Sequence, residues 1–405
     1  MKKPSNIKKT KKNKNTKGDA SVKANKISSS RKFFSSAMSS LYTDSDFAIF
    51  LLVAVLTMFG VVMVFSAGYY STLAKSTDAY YFLKRQIAFA VSGFAILLAF
   101  SKIDYHSYSK YYKQIAIFSV VMLLLLFTPL GVTVNFARRW IFIGPIRITP
   151  SEISKLAMII FTATYLAENP NKAKRGLVGM STILGLMAVH AGLIIKQPNL
   201  STAIVIVAIM IGILFVGGLA WRYIIVAIGS LVAGMISILI FFRNTHWYSR
   251  LTNWMDPFKD AQGEGYQVSQ SIIALGNGGF KGLGLGKSIS KNLYLPEPQN
   301  DFILAIIGEE LGFIGIFIMM VVYLVLIWRC IIVSSKAKDK LGLFMAAGIA
   351  IMLGLQVIVN VAVVTASMPA TGITLPFVSY GGTSLWVFMA SMGIMLNISK
   401  QGRAN

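Results

Sequence analysis

Residues 296–315 read PEPQNDFILAIIGEELGFIG. From Phe302 the run is apolar, and it stays so through residue 328. That is enough to cross a bilayer as one helix, which takes about 20 residues. Yet Glu297, Asp301, Glu309 and Glu310 lie inside the run or at its doorstep. A charge near the bilayer centre costs at least ~2.5 kcal/mol, so an ionisable residue in such a run marks a candidate site. Asp301, at the mouth of the helix, reads in two ways: as an N-cap, which Asp favours, or as a catalytic group. Glu309 and Glu310 fall ~12 Å deeper at ~1.5 Å rise per residue, on different faces of the helix. They are read as structural, held by hydrogen bonds or ion pairs inside a bundle. Glu297, among prolines, is an accessible ligand contact or a solvated side chain.

The rest of the chain has the same character. Of 405 residues, 55% are hydrophobic and 13% charged, about half the charged share of a soluble protein. Ten apolar segments, at 47–66, 86–100, 114–130, 153–167, 177–195, 200–217, 222–242, 302–328, 341–366 and 384–398, predict an all-α polytopic membrane protein. An even count puts both termini on one side. Residues 1–43 hold twelve Lys or Arg against Asp19 alone. This tail reads as disordered, cytoplasmic and resting on anionic membrane lipids, not as a nucleic-acid arm. It lacks the layout of a signal peptide. The membrane domain then covers 44–400, with a large extracytoplasmic loop at about 243–300 between the seventh and eighth spans. The single cysteine, Cys330, excludes an intramolecular disulfide. It is read as inert, near the cytoplasmic end of a helix.

The outer loops of this topology carry positive charge, including Arg138, Arg139, Arg147, Lys196, Arg243, Arg250, Lys281, Lys287 and Lys291. An anionic ligand on that side would explain them. The segment GNGGFKGLGLGKS (276–288) resembles a phosphate loop only at a glance: a Walker loop needs Gly where Lys281 stands. Its glycines are expected to serve tight turns or re-entrant backbone. His106, His190 and His246 lie far apart in sequence and make no metal-ligand pattern.

Three further polar clusters fall on the same side as Asp301. Arg138–Arg139–Trp140 precedes TPSEISK (149–155), where Thr149 and Glu152 fit a capping box with Pro150 at the first helical position. Lys155 lies one turn into the membrane on the face of Glu152, and needs a partner there. Lysine and arginine suit a pyrophosphate, one as a point charge and the other as a fork. KQPNLST (196–202) makes a tight turn. PATGITLPFVSYGGTS (369–384) is polar and broken by Pro and Gly, as backbone lining a cavity can be.

These segments closely resemble the signatures of the SEDS family of bacterial membrane proteins. LPEPQNDFILAIIGEELGFIG, TGITLPFVSYGGTSL, ARRWI with PSEISKLA, QPNLSTA and DPFKDAQGEGYQVSQSIIALGNGGFKGLGLGKS match in order, across residues 47–398. PEPQ resembles the division and sporulation branches more than the elongation branch. The resemblance implies ten membrane helices in the bacterial plasma membrane, with the active site facing outside. It also implies peptidoglycan glycosyltransferase activity on lipid II. A class B penicillin-binding protein, a transpeptidase, would be the partner, alongside other division proteins. Asp301 stands where the family has its catalytic Asp. Asn199 and Ser201 depart from a common Asp and Gly, and Asn300 and Leu304 from a common Thr and Phe.

Polymerisation needs a sugar hydroxyl to attack an anomeric carbon bearing a lipid pyrophosphate. Asp301 suits the general base. Arg139, Lys155 and Lys196 are the candidates to stabilise the leaving pyrophosphate, with a divalent cation (Mg or Mn) as an optional aid. Glu152, Gln197, Glu297, Ser379 and Tyr380 complete the expected substrate contacts. The rival readings are a lipid II flippase and a non-catalytic scaffold for the transpeptidase. The scarcity of deep charges toward the cytoplasm favours the enzyme.

Overall fold

The computed structural model describes residues 46–74, 78–134, 137–144, 146–170, 172, 176, 178–241, 248, 252, 254–259, 263 and 265–403. The basic tail, Arg243, His246 and Arg250 lie outside them.

Helices dominate. In chain order they are α1 (Phe47–Ala74), α2 (Tyr81–Lys102), α3 (Tyr105–Lys110), α4 (Tyr112–Leu125), α5 (Pro150–Glu168) and α6 (Ser181–Ile195). Then follow α7 (Leu200–Val216), α8 (Trp221–Phe241), α9 (Tyr266–Gly278), α10 (Ile303–Ser335), α11 (Lys340–Val364) and α12 (Gly382–Arg403). Every one of the ten apolar segments falls on a helix, and α1, α2, α10, α11 and α12 are long and apolar enough to cross a membrane. The helix ends follow local chemistry. Pro150 starts α5 because its fixed φ suits the first turn. Asn199 caps α7 by accepting from Thr202 N, and Asp339 caps α11 by accepting from Gly342 N at 2.7 Å. Asn199 thus performs the capping role that an Asp there would.

Packing joins distant stretches. α12 lies along α2, α10 along α11 and α1, and α5 sits among α4, α7 and α11. Close approach replaces hydrophobic drive inside a membrane. At Gly60 a Cβ would sit 2.7 Å from the Phe377 carbonyl oxygen and the Val378 Cα. The segment 365–381 therefore re-enters the bundle as far as the middle of α1.

Three findings correct the sequence reading. Residues 131–152 are not wholly loop: β1 (Gly131–Val134), β2 (Ala137–Ile143) and β3 (Ile146–Ile148) form an antiparallel sheet, Val132 opposite Trp140 and Phe142 opposite Arg147. Branched and aromatic side chains there suit a pleated surface. The long loop contains α9. Arg329, just past the apolar segment 302–328, lies inside α10 rather than in a connection, paired with buried Asp46 (Nη2 to Oδ2, 2.5 Å).

Candidate active site

Successive residues of a strand point to opposite faces, and β2 uses this at its two arginines. Arg138 turns back into the sheet, donating to the carbonyls of Thr128 (2.5 Å) and Gly131 (3.1 Å). Arg139 reaches the other way, its Nη2 donating to the Pro198 carbonyl at 2.5 Å. The sheet and the 196–199 turn are thereby joined. Gly372 completes the approach from the re-entrant segment. A Cβ there would lie 3.4 Å from Arg139 Nη1 and 3.8 Å from Asp301 Oδ2. The guanidinium and the carboxylate thus flank one point.

The other clusters close around it. Asn360 of α11 donates from Nδ2 to the carbonyls of Asp301 and Ile373, both at 2.8 Å. Tyr380 N donates to the Gln299 carbonyl at 2.9 Å. Thr383 Oγ1 accepts from Thr149 N (3.2 Å) and donates to the Arg147 carbonyl (3.0 Å). All four clusters singled out in the sequence meet at one end of the bundle.

Two capping expectations are not met. Asp301 lies just outside the helix: the N-cap is Phe302, whose side chain makes no capping hydrogen bond. The Thr149–Glu152 capping box does not form, because Thr149 N goes to Thr383 and the Glu152 carboxylate goes to Lys155. Lys155 has the partners its depth demands. Its Nζ lies 2.7 Å from Glu152 Oε1 and 2.8 Å from Gln356 Oε1, with the side chain 2% exposed.

The remaining candidates occupy the surroundings. Lys196 is exposed and closes α6. Gln197 is buried and donates to the Leu123 carbonyl at 3.2 Å, fixing the turn on α4. Ser379 accepts from Leu375 N at 2.8 Å and shapes the re-entrant segment. The Tyr380 ring packs 4.9 Å from that of Phe82. Glu297 is exposed and accepts from Asn300 Nδ2 at 2.7 Å.

The deep glutamates do what their depth suggests. Glu309 accepts from Ser288 Oγ, Ser290 Oγ and N, and Asn277 Nδ2. Glu310 pairs with Lys291 Nζ at 2.8 Å and accepts from Ser66 Oγ at 2.6 Å, both members of the pair buried. They lace the glycine-rich segment onto α10. Lys291, one of the positive charges expected on the outer side, therefore has a structural explanation.

Sequence reading missed Asn360 and Gln356. Their signal was present: after Lys340 they are the only polar side chains of α11, four residues apart. Among the described residues no group of three or more His, Cys, Asp or Glu is placed to hold a metal ion.

A family model described as "Cell cycle protein", covering FtsW, RodA and SpoVE, matches residues 46–404. The chain belongs to the FtsW/RodA/SpoVE family. One relative in this family is a probable peptidoglycan glycosyltransferase FtsW of Geobacter sp. (strain M18), 38% identical over 88% of this chain and 97% of its own length. Stage V sporulation protein E of Bacillus subtilis (strain 168) is 37% identical over 90% of this chain and 100% of its own. A chain from a solved peptidoglycan synthase complex shares the fold, with a TM-score of 0.75 and 24% identity over 90% of this chain and all of that one. The rod shape determining protein RodA of Thermus thermophilus shares it too, with a TM-score of 0.63 and 24% identity over 88% of this chain and 97% of that one.

Proposed function

We propose that this protein is a peptidoglycan glycosyltransferase. It polymerises lipid II at the outer face of the plasma membrane, in septal or spore-wall synthesis, beside a class B penicillin-binding protein. The observation that carries this is the pairing at Gly372. A carboxylate and a guanidinium flank one point at the end of a membrane bundle, in a chain whose relatives bear the name of that activity.

The chemistry follows from the two groups. Asp301 takes the proton of the acceptor sugar hydroxyl as its oxygen attacks the donor's anomeric carbon. The new glycosidic C–O bond forms as the bond to the lipid pyrophosphate breaks. Arg139 meets the charge that develops on the departing pyrophosphate, and Lys155 and Lys196 add positive potential deeper in the site and at its rim. One base and direct displacement give inversion at the anomeric carbon.

The deep charges speak against a flippase. Glu309 and Glu310 are occupied by the 288–291 segment and Ser66, so they do not line a path for a headgroup.

The test is glycan polymer from labelled lipid II with the purified protein, alone and with its transpeptidase, with and without divalent cation. Polymer whose new linkages are inverted relative to the donor is expected. Folded protein that makes none under any of these conditions would overturn the proposal.

A further inference from the structure

α11 is apolar along its length except for Gln356 and Asn360 after the opening Lys340. Four residues apart, they stack on one helix face, and they are 0% and 1% exposed. A buried amide costs free energy unless it is hydrogen-bonded, and each of these binds one part of the site. The Asn360 Nδ2 atom carries two hydrogens and gives one to each of two backbone carbonyls, those of Asp301 and Ile373. It thereby clamps the residue bearing the base to the segment holding Gly372, across which the base meets Arg139. Gln356 Oε1 accepts from Lys155 Nζ, whose other partner is Glu152. Helix rise sets the two clamps ~6 Å apart along the axis.

We propose that Asn360 and Gln356 are positioning residues for the transfer reaction. α11 acts as a rigid spacer: Asn360 holds Asp301 against Arg139 through the backbone, and Gln356 holds the Lys155 ammonium one turn deeper. The proposal rests on the reading of Asp301 as the base. Neither amide transfers a proton. Both act through the groups they hold.

The test is steady-state polymerisation of lipid II by wild type, Asn360→Leu and Gln356→Leu at equal folded amounts, with the pH profile of each. Misplacing a reacting group by about 1 Å costs up to a hundredfold. Asn360→Leu should therefore lower kcat by roughly tenfold or more with KM within about twofold. Its acid limb should also move to higher pH, because the Asp301 carboxylate no longer sits as closely against Arg139. Gln356→Leu should also lower kcat, since Lys155 adds positive potential against the charge that develops on the departing pyrophosphate. A merely structural role would lower the melting temperature and leave the acid limb in place. If folded Asn360→Leu keeps wild-type kcat and acid limb, the positioning role is overturned while the proposed function stands. If Asn360→Leu does not fold, Asn360→Ser retains one donor and should show an intermediate fall in kcat. Wild-type kcat from folded Asn360→Ser overturns the role equally. A folded wild type that makes no polymer overturns the function itself.

Discussion

At the scale of single residues, Gly372 offers the sharpest handle on the site. Its φ of +71° lies in the left-handed region, where an L side chain costs roughly 1–2 kcal/mol. An added methyl would also enter the space between Arg139 and Asp301. Gly372→Ala should therefore depress polymerisation far more than its loss of thermal stability explains. Paired melting and kinetic measurements decide this, and an unchanged rate would place the chemistry elsewhere. Lys291 and Glu310 allow a second prediction. Removing one partner of a buried pair costs about 3–5 kcal/mol because the other charge stays behind. Lys291→Met should thus lower the melting temperature strongly in detergent. Lys291→Met combined with Glu310→Gln should recover part of that loss. Equal melting of the single variant and wild type would show that the pair does not hold the segment. The structural role of Glu309 and Glu310 was legible from depth alone, since a buried carboxylate must be paired or bonded. Their partners were not. Ser66 lies 244 residues from Glu310, and no periodicity in the sequence records such a contact.

At the scale of elements, α10 shows how glycine-rich sequence becomes geometry. The helix breaks at Gly312, whose φ of +68° and ψ of −168° are open to glycine. The break admits the 279–284 backbone: Phe313 N donates to the Gly279 carbonyl, and Gly284 N to the Glu310 carbonyl. The expectation of backbone packed on protein is met here. The sheet escaped sequence reading for a related reason. Its strands have four, seven and three residues, too short for alternation to stand out, and their pairing is a tertiary property. At the far end of the bundle, His106 joins two helix caps, with Nδ1 2.8 Å from Asp104 and Nε2 2.6 Å from Asp339. Partial burial opposes the imidazolium, yet hydrogen bonds and charge from the two aspartates outweigh it and raise its pKa above the ordinary 6.5. A raised folded value stabilises most below 6.5, and the contribution is lost as pH rises through that value. Burial also opposes the Asp104 carboxylate. Gln401 and His106 outweigh it and hold its pKa below 3.8, so Asp104 acts in a more acid window. His106→Gln should therefore lower the melting temperature more at about pH 5.5 than at about pH 8.5. A deficit independent of pH would contradict the clasp.

At the scale of the whole molecule, two ends of one bundle carry different work. One end gathers Asp301, Arg139, Lys155 and the re-entrant segment. The other gathers His106, Asp339, Asn397 and Gln401, with Asn397 Oδ1 accepting from Tyr105 N at 3.1 Å. The ten apolar segments, each on a helix, and the convergence of four polar clusters were legible because membrane helices announce themselves by hydropathy. Each polar stretch follows an odd-numbered apolar segment, so alternation across a membrane sets all four on one side. The interior wiring was not legible, because Asn360 meets the Asp301 backbone across 59 residues and a polar residue in an apolar helix does not declare its partner. The orientation makes its own prediction. Exposed Lys287→Cys should react with an impermeant maleimide in intact cells, and exposed Lys338→Cys only after permeabilisation. Native Cys330, fully buried, should stay silent in both. The reverse pattern would place the site in the cytoplasm. The central claim is that Asp301 is the base of a glycan polymerase. Its most direct test is polymer formed from lipid II by equal folded amounts of wild type and Asp301→Asn with the same transpeptidase. The account predicts polymer from the wild type and none from the variant, with lipid II binding retained in both. Equal polymer from the two would contradict it.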